Sequence, residues 1–324
     1  MMKSKSLAIC IPAYNAAVYL PRLLESANSQ QIPFDEIWVY DDCSIDETGQ
    51  VAAKYGAKVV RGDINRGCSY GKNALAEKTS CEWIHFHDAD DLLMPNFTTL
   101  AHQWMGRLDA PDTVLFAFEY RDGETNTLYS IGKFDDEALQ RDPIAYTILH
   151  QINPFCGLYR RAKFLEVEGY DLDPNVLYNE DVAFHVRAAR RGMTFRAEPT
   201  VSIINYRYSN SMSQGNLSKC IAAHVCVLEK AALESHSQYH QLIAEKLWAA
   251  AGVAGSYLAW DVADKAANLA VQLGGQKGAA NNSYWFRTFA LINPPLALRV
   301  RELLIRFLRP QLRQESQYQP NRKN

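Results

Sequence analysis

Three carboxylates fall within four residues of the segment "HFHDADDLLMP", residues 85–95. Asp88, Asp90 and Asp91 follow a short apolar run, and carboxylates this close repel one another unless a cation lies near them. A pair separated by one small residue, Ala89, can direct two oxygens toward a single Mg²⁺ or Mn²⁺ ion. Such an ion completes its coordination with water and substrate phosphates, so the spacing indicates a metal-bound diphosphate.

A solvated turn that caps a helix beginning near Pro95 is the alternative interpretation, and it is the usual one for an isolated D-x-D pair. Position favours the metal, because the acids follow the predicted central strand "WIHF" and ligands bind beyond the carboxyl ends of such strands. His85 and His87 share one face of that strand. We expect helices to cover both histidines, and we assign neither to a metal site.

A second pair of acids, Glu180 and Asp181, opens the pattern "NEDVAFHVRAARRG". Acids in a first helical turn interact favourably with the helix dipole, which is the purely structural interpretation. The irregular segment before them, residues 169–179, is more typical of a binding loop than of a connector. A positioned carboxylate of this kind can act as a general base.

The segment "DINRGCSYGKNALA", residues 63–76, places Gly67 and Gly71 around a predicted helix start. The chain contains neither GxGxxG nor GxxxxGK[ST], so the usual signatures of a Rossmann dinucleotide site and of a P-loop are missing. Lys72 and Asn73 near the helix start can still contact a phosphate or a ribose.

Strands and helices alternate in the N-terminal third of the chain. The pattern predicts strands over residues 7–11, 36–40, 58–60 and 83–86, and helices over residues 19–29, 46–54 and 70–78. This alternation predicts an α/β fold with helices on both faces of a mostly parallel, Rossmann-like sheet. The carboxyl ends of the strands would bring "PAYN", "DDCS" and "DADD" to one edge. Asp46 is predicted to cap the second helix.

Helices alone are predicted from residue 216 onward, over residues 217–236 and 239–275. We therefore divide the chain into a nucleotide-binding type domain, residues 1–215, and a helical C-terminal region, residues 216–324. Residues 281–324 contain eight Lys or Arg and two Glu, which predicts a basic amphipathic helix at an anionic membrane surface. The alternative is packing on the first domain or on the second subunit of a homodimer.

The composition limits the classes of protein that fit. The 324 residues are 48% hydrophobic and 22% charged, with a net charge of −2, so nothing indicates a nucleic-acid partner. The seven cysteines are scattered without a CxxC motif, which excludes a thiolate zinc site of that kind and favours a reducing cytoplasm. Apolar runs are too short for a signal peptide or a membrane span.

Five segments taken together, in this order and spacing, resemble the family 2 glycosyltransferases of GT-A fold. They are "ICIPAYN", "VYDDCSIDET", "NRGCSYGKNAL", "HFHDADDLLMP" and "NEDVAFHVRAARRG". The resemblance covers about residues 6–210 and implies a cytoplasmic enzyme, peripheral to the membrane where the acceptor is a glycolipid. It implies transfer from a nucleotide-sugar donor, with a divalent Mn²⁺ or Mg²⁺ ion as cofactor.

The resemblance also implies residue roles. Asp42 would pair with the uracil ring, Asp88 and Asp90 would hold the metal ion, and Asp181 would be the catalytic base. The residues expected to bind the donor are Pro12, Ala13, Tyr14, Asp42, Gly67, Lys72, Asp88, Ala89 and Asp90. Lys72 stands where many members have arginine, so its phosphate contact would be a point charge.

The expected reaction is an inverting transfer of one sugar, from a UDP-sugar, to a glycan or glycolipid of the bacterial surface. Lipopolysaccharide, capsule and exopolysaccharide are the acceptor classes that the resemblance suggests, and the absence of a QxxRW motif favours single transfer over polymerisation. A non-catalytic nucleotide-sugar-binding protein is the first alternative, against which the intact acids argue. A nucleotidyltransferase is the second, and it would release pyrophosphate.

Overall fold

The computed structural model describes residues 5–208, 216–275 and 284–314. Within these ranges the chain forms one sheet of nine strands. The strands are β1 (Leu7–Ala13), β2 (Glu36–Asp41), β3 (Lys58–Arg61), β4 (Trp83–Phe86), β5 (Leu92–Leu93), β6 (Thr113–Asp122), β7 (Leu128–Gly132), β8 (Gly157–Arg160) and β9 (Phe195–Arg207).

Helices surround the sheet and then continue alone. They are α1 (Leu20–Asn28), α2 (Thr48–Lys54), α3 (Cys68–Lys78), α4 (Phe97–Met105), α5 (Asp136–Arg141), α6 (Pro143–Leu149), α7 (Arg161–Glu166), α8 (Glu180–Arg190), α9 (Leu217–Glu234), α10 (His240–Ser256), α11 (Trp260–Gln272), α12 (Tyr284–Ile292), α13 (Pro294–Leu308) and α14 (Gln311–Gln314). No helix in these described ranges is long and apolar enough to cross a membrane.

The strand order β3-β2-β1-β4-β8-β6-β9-β5 places β1 and β4 in the middle of the sheet, with β7 paired to β6. The first four strands of this order run parallel, and β8 is antiparallel to β4 and to β6. The carboxyl ends of β1, β2 and β4 therefore lie at one edge. The predicted α/β fold and its predicted helical C-terminal part are confirmed.

Strand β1 shows why this sheet is covered on both faces. Its side chains alternate between two apolar clusters, as the period of two residues in a strand requires. Leu7, Ile9 and Ile11 pack in a cluster with α1 and α4, whereas Ala8 and Cys10 pack in a cluster with α3, α7 and α8. Burial on both faces explains the continuous apolar run that predicted this strand.

Two helix starts differ from the sequence prediction. The second helix begins at Thr48, and its N-cap residue is Glu47, not Asp46. The Asp46 carboxylate instead accepts hydrogen bonds from the backbone N–H groups of Thr48, at 3.0 Å, and Ala17, at 3.1 Å. The Asp46 carboxylate thus accepts a hydrogen bond from an N–H group of the first turn, although Asp46 lies one position before the N-cap residue. The third helix begins at Cys68, which places Lys72 inside the helix.

The C-terminal helices are shorter than predicted. Residues 239–275 form α10 and α11, because the chain turns at Leu258, whose φ of 61° is left-handed and ends a helix. The basic end is divided by Pro294 and Pro310, since proline lacks the N–H that would continue the helix. Asn293 caps α13 by accepting a hydrogen bond from the Leu296 N–H at 3.0 Å. Residues 281–283 and 315–324 of the predicted basic helix lie outside the described residues.

The chain separates into two compact units. The first contains the residues up to Leu172 together with Glu180–Tyr208, and it holds the whole sheet. The second contains Asp173–Asn179 together with the chain from residue 209 onward. Within the second unit, α10 packs against α9 and α11, and α13 packs against α10 and α11.

Candidate active site

The three acids after β4 have three different environments. Asp88 faces a buried cation, since its Oδ1 lies 3.7 Å from the Nζ of Lys72. Asp91 is buried and accepts hydrogen bonds from the Asn205 side chain at 2.6 Å and from the Tyr206 N–H at 2.8 Å. Asp91 therefore fastens the acidic loop to β9, which leaves Asp88 and Asp90 for a ligand.

Asp90 is held through its backbone carbonyl. Arg22 donates from Nη2 to the carbonyl oxygen of Asp90 at 3.3 Å and to the hydroxyl of Tyr208 at 3.2 Å. Burial, and then the neighbouring charge of Asp88, raise the pKa of Asp90 to about 6. Burial, and then the neighbouring charges of Asp90 and Asp88, raise the pKa of Asp91. Ala89, between the two predicted metal ligands, packs against the apolar core.

One observation is consistent with a divalent ion at Asp88 and Asp90. After burial, repulsion from Asp88 is the second cause of the raised pKa of Asp90, and a cation would offset this repulsion. Among the described residues, no group of three or more His, Cys, Asp or Glu is arranged to hold a metal ion. Two carboxylates are nevertheless sufficient where phosphate and water supply the other ligands.

Asp42 holds the loop that leads into α3. Its Oδ1 accepts from the Arg66 N–H at 2.8 Å and its Oδ2 accepts from the Gly67 N–H at 2.7 Å, while its own N–H donates to the Ala13 carbonyl at 2.9 Å. Each carboxylate oxygen keeps a second lone pair for a ligand. Gly67 has a φ of 85°, and a Cβ there would meet nothing within 4 Å, so this glycine borders open space.

The strand-end segments after β1 and β2 are joined to each other. The Asn15 N–H donates to the Ser44 hydroxyl at 3.0 Å, and the Ile45 N–H donates to the Asn15 side chain at 3.0 Å. Pro12 is opposite Tyr40 in the register of the two strands. Tyr14 leaves half of its side chain exposed. Pro12, Ala13, Tyr14 and Asp42 thus share one edge of the sheet, as the sequence predicts.

Lys72 connects the two groups of acids. Its side chain is buried in the first turns of α3, close to Asp88. Burial by itself would lower the pKa of Lys72, but the surrounding charges, which include Asp88, Glu180 and Asp181, raise the pKa above its ordinary value. The ammonium group therefore stays charged between the acids after β4 and the acids that begin α8.

Asp181 is a buried carboxylate with defined partners. Its Oδ2 accepts from the Gln151 side chain at 2.9 Å, and its Oδ1 accepts from the Val182 N–H at 2.8 Å. Burial, partly offset by the Gln151 hydrogen bond, raises the pKa of Asp181 to about 6. Its carbonyl accepts from His185, which also accepts a hydrogen bond from the Tyr159 hydroxyl at 2.9 Å. These contacts fix the first turn of α8.

Glu180 lies in a different environment from its neighbour. Its Oε1 accepts a hydrogen bond from the Cys68 thiol at 3.3 Å, and its Oε2 is buried without a hydrogen-bond partner. Burial raises the pKa of Cys68 to about 11, so this residue stays a thiol. The Glu180 carboxylate is thus directed toward the start of α3.

His85 of β4 and His87, directly after this strand, are both buried, as predicted. The Nδ1–H of His85 donates to the Gly157 carbonyl at 2.9 Å, so its Nε2 accepts from the Nδ1 of His87 at 3.0 Å. Burial lowers the pKa of His87 to about 3 and that of His85 well below its ordinary value. The pair is neutral and structural.

Three contact residues are missing from the sequence prediction. Arg22, Cys68 and Gln151 touch Asp90, Glu180 and Asp181 respectively. Each pair is at least 30 residues apart in the chain. Nothing local in a single sequence marks such a contact.

Comparison with known proteins gives the family. Residues 8–167 match the family described as Glycosyl transferase family 2. The succinoglycan biosynthesis protein ExoO of Rhizobium meliloti is 25% identical over 326 residues, which cover 95% of this chain and 90% of ExoO. The chain spans about half the length of two uncharacterized glycosyltransferases of Rickettsia that it also matches.

Solved structures agree in fold. Staphylococcus aureus TarS 1–349 in complex with UDP-GlcNAc superposes with a TM-score of 0.73 at 20% identity, covering 93% of this chain and 92% of that one. The mannosyltransferase PcManGT from Pyrobaculum calidifontis, in complex with GDP-Man and Mn²⁺, gives a TM-score of 0.59 at 15% identity, covering 93% and 88%. Residues 8–167 form a glycosyltransferase family 2 domain, and the chain has the GT-A fold.

Proposed function

We propose that this chain transfers one sugar, with inversion, from a UDP-sugar to a hydroxyl of a bacterial surface glycan. Lipopolysaccharide, capsule or exopolysaccharide would be the acceptor. The observation that carries the proposal is the buried Lys72, which is electrostatically coupled both to Asp88 and to Asp181. The names of ExoO and of TarS, a poly(ribitol-phosphate) β-N-acetylglucosaminyltransferase, support a surface-glycan acceptor.

On the donor side, the proposal assigns the nucleotide to the edge formed by Pro12, Ala13, Tyr14 and Asp42. A divalent ion held by Asp88 and Asp90 would neutralise the diphosphate while the glycosidic bond breaks. Lys72 would add a fixed positive charge beside the same phosphates. Arg22 would keep the backbone of the metal-binding loop in place through its bond to the Asp90 carbonyl.

On the acceptor side, the Asp181 carboxylate would take the proton of the acceptor hydroxyl. The acceptor oxygen then forms its bond to the anomeric carbon as the bond from that carbon to the diphosphate oxygen breaks. UDP leaves with the electron pair of the broken bond. A single displacement of this kind inverts the anomeric centre. Gln151 would hold the carboxylate in place during the step.

A panel of nucleotide sugars, screened by thermal unfolding with Mn²⁺, tests the donor half of the proposal. A ligand that binds only the folded state raises the unfolding temperature, so we expect a UDP-sugar to raise it and EDTA to remove the effect. Asp90→Asn should weaken the shift. Asp109→Asn, at an exposed acid, is the matched control and should not.

Two results would contradict this proposal. A shift that survives both EDTA and the Asp90 substitution would show that the donor does not need the metal. Release of pyrophosphate in place of UDP would assign the chain to the nucleotidyltransferases.

The cytoplasm is the proposed compartment, because all seven cysteines are free thiols.

A further inference from the structure

The outward face of helices α12 to α14 is apolar. Along α13 the exposed positions follow the helical period, and they carry Leu296, Leu303 and Phe307, with Phe307 84% exposed. Other large side chains on the three helices are at least two-fifths exposed: Tyr284, Trp285, Leu291, Ile292, Leu304, Leu308 and Leu312. Ten exposed large apolar side chains on three consecutive helices are unusual for a surface that meets only water. We call these ten residues the apolar face.

Four charged side chains of the same helices are held in ion pairs. Glu302 is only 3% exposed, and it is paired with Arg306 at 2.9 Å and with Arg313 at 2.6 Å. Arg299 is paired with Asp264 of α11 at 2.6 Å. Arg299, Arg306 and Arg313 are therefore engaged within the second unit. The apolar side chains, not these arginines, are presented outward.

Charge decides between the two occupants that such a face could have. Residues 284–314 contain six Arg and a single acid, Glu302, which is buried and already paired. A second copy related by a two-fold axis would oppose the same patch to itself, and exposed cations such as Arg309 would meet cations. An anionic bilayer offers the complementary charge. Trp285 and Tyr284 also suit a boundary between lipid and water, because their rings are apolar with one polar atom.

We propose that the apolar face inserts into the interface of an anionic lipid bilayer. The helices would lie in the plane of the membrane, with Phe307 and Leu303 among the acyl chains and Arg309 near the phosphates. The Arg299–Asp264 pair and the hydrogen bond from Arg306 Nη2 to the Ser256 carbonyl at 2.8 Å hold α13 against α11 and α10, so that the apolar face is preformed before the protein meets lipid. This attachment is independent of sugar transfer.

Sedimentation of the full chain with lipid vesicles tests the proposal. We expect binding to vesicles of equal parts phosphatidylglycerol and phosphatidylcholine, and weaker binding to pure phosphatidylcholine. The double variant Leu303→Gln and Phe307→Gln should lower the binding constant roughly tenfold or more, because it removes the apolar surface that would enter the bilayer. The control pair, Leu233→Gln and Val253→Gln, changes exposed apolar residues elsewhere in the second unit and should bind as the native chain does.

Three outcomes would overturn the proposal. They are failure of the native chain to sediment with the anionic vesicles, undiminished binding by the Leu303 and Phe307 variant, and light scattering that shows a native dimer which this variant converts to monomers. Thermal unfolding checks that the variant is folded. A second pair, Ile292→Gln and Leu308→Gln, replaces it if the first is not folded. No nucleotide or sugar is used, so failure here leaves the proposed activity standing.

Discussion

Glu180 and Asp181 are neighbours in sequence with different surroundings. Asp181 is held by Gln151 and by the N–H of Val182, whereas Glu180 is directed to Cys68. Adjacent residues on a helix point about 100° apart, so one acceptor hydroxyl can face only one of them. The raised pKa of Asp181 also suits a base that operates near neutral pH.

Replacing each acid by its amide separates the two roles. Asp181→Asn should keep UDP affinity and lower turnover by roughly 10² to 10⁴, because the proton acceptor is lost. Glu180→Gln is its control and should retain most turnover. UDP release with a competent acceptor measures both. Normal turnover in the Asp181 variant beside a loss in the Glu180 variant would show that the base is Glu180.

The pH dependence of turnover follows from the same carboxylate. Because only the ionised form accepts a proton, and the pKa of Asp181 is raised to about 6, kcat should fall as the pH drops through about 6. Gln151 donates to the charged form and so lowers the pKa. Gln151→Leu should therefore move the acid limb to higher pH, whereas Gln103→Leu at an exposed position should not. An acid limb that stays in place would remove Gln151 from the mechanism.

The cluster of acidic residues after β4 could be recognised from the sequence, but the different environments of the three carboxylates could not. Asp88, Asp90 and Asp91 look alike in the chain, because all three follow one strand. Only the contacts of Asp91 with β9 reveal that it is structural. Its partners are more than 100 residues away.

At the scale of elements, the start of α3 shows how backbone geometry shapes the proposed donor site. Gly67 is the N-cap of this helix at a φ of 85°, and its N–H donates to Asp42. A side chain at such a φ is strained whatever the space around it. The glycine therefore lets the loop turn toward Asp42 and present its backbone at the sheet edge.

Two glycine substitutions distinguish strain from binding. Gly67→Ala and Gly56→Ala, at φ values of 85° and 84° with open space around each Cβ position, should each lower the free energy of unfolding by about 1 kcal/mol. Only Gly67→Ala should weaken UDP binding, since Gly67 adjoins Asp42. Denaturant unfolding and calorimetry with UDP measure the two effects. Equal UDP affinity in both variants would exclude the Gly67 loop from the donor site.

The alternation of elements was predictable because β1 and β4 carry apolar residues on both faces, and a run of this kind indicates a covered strand. The division of the C-terminal helices could not be predicted from the sequence. The left-handed conformation of Leu258 carries no local signal of the kind that glycine or asparagine gives. Pro294 and Pro310 did carry one, and both break the predicted basic helix.

At the scale of the whole molecule, the net charge of residues 281–324 could be counted from the sequence, but the positions of these charges on the surface could not be predicted. Six arginines between residues 284 and 314 predict a basic surface, but Glu302 and Asp264 draw three of them into pairs. Net charge counts cations without locating them. The apolar side chains that are exposed can be identified only when the packing of α13 on α10 and α11 is known.

The chain passes between its two units three times, because Asp173–Asn179 belongs with the helices of the second unit. Within that unit, Asp173 pairs with Lys230 at 2.7 Å, and Asn179 is bonded to the Cys220 carbonyl and to His224. A single recombination crossover near residue 210 would therefore separate residues 173–179 from the C-terminal helices that they contact. A functional chimera with a relative must inherit residues 173–179 and the C-terminal helices from the same parent.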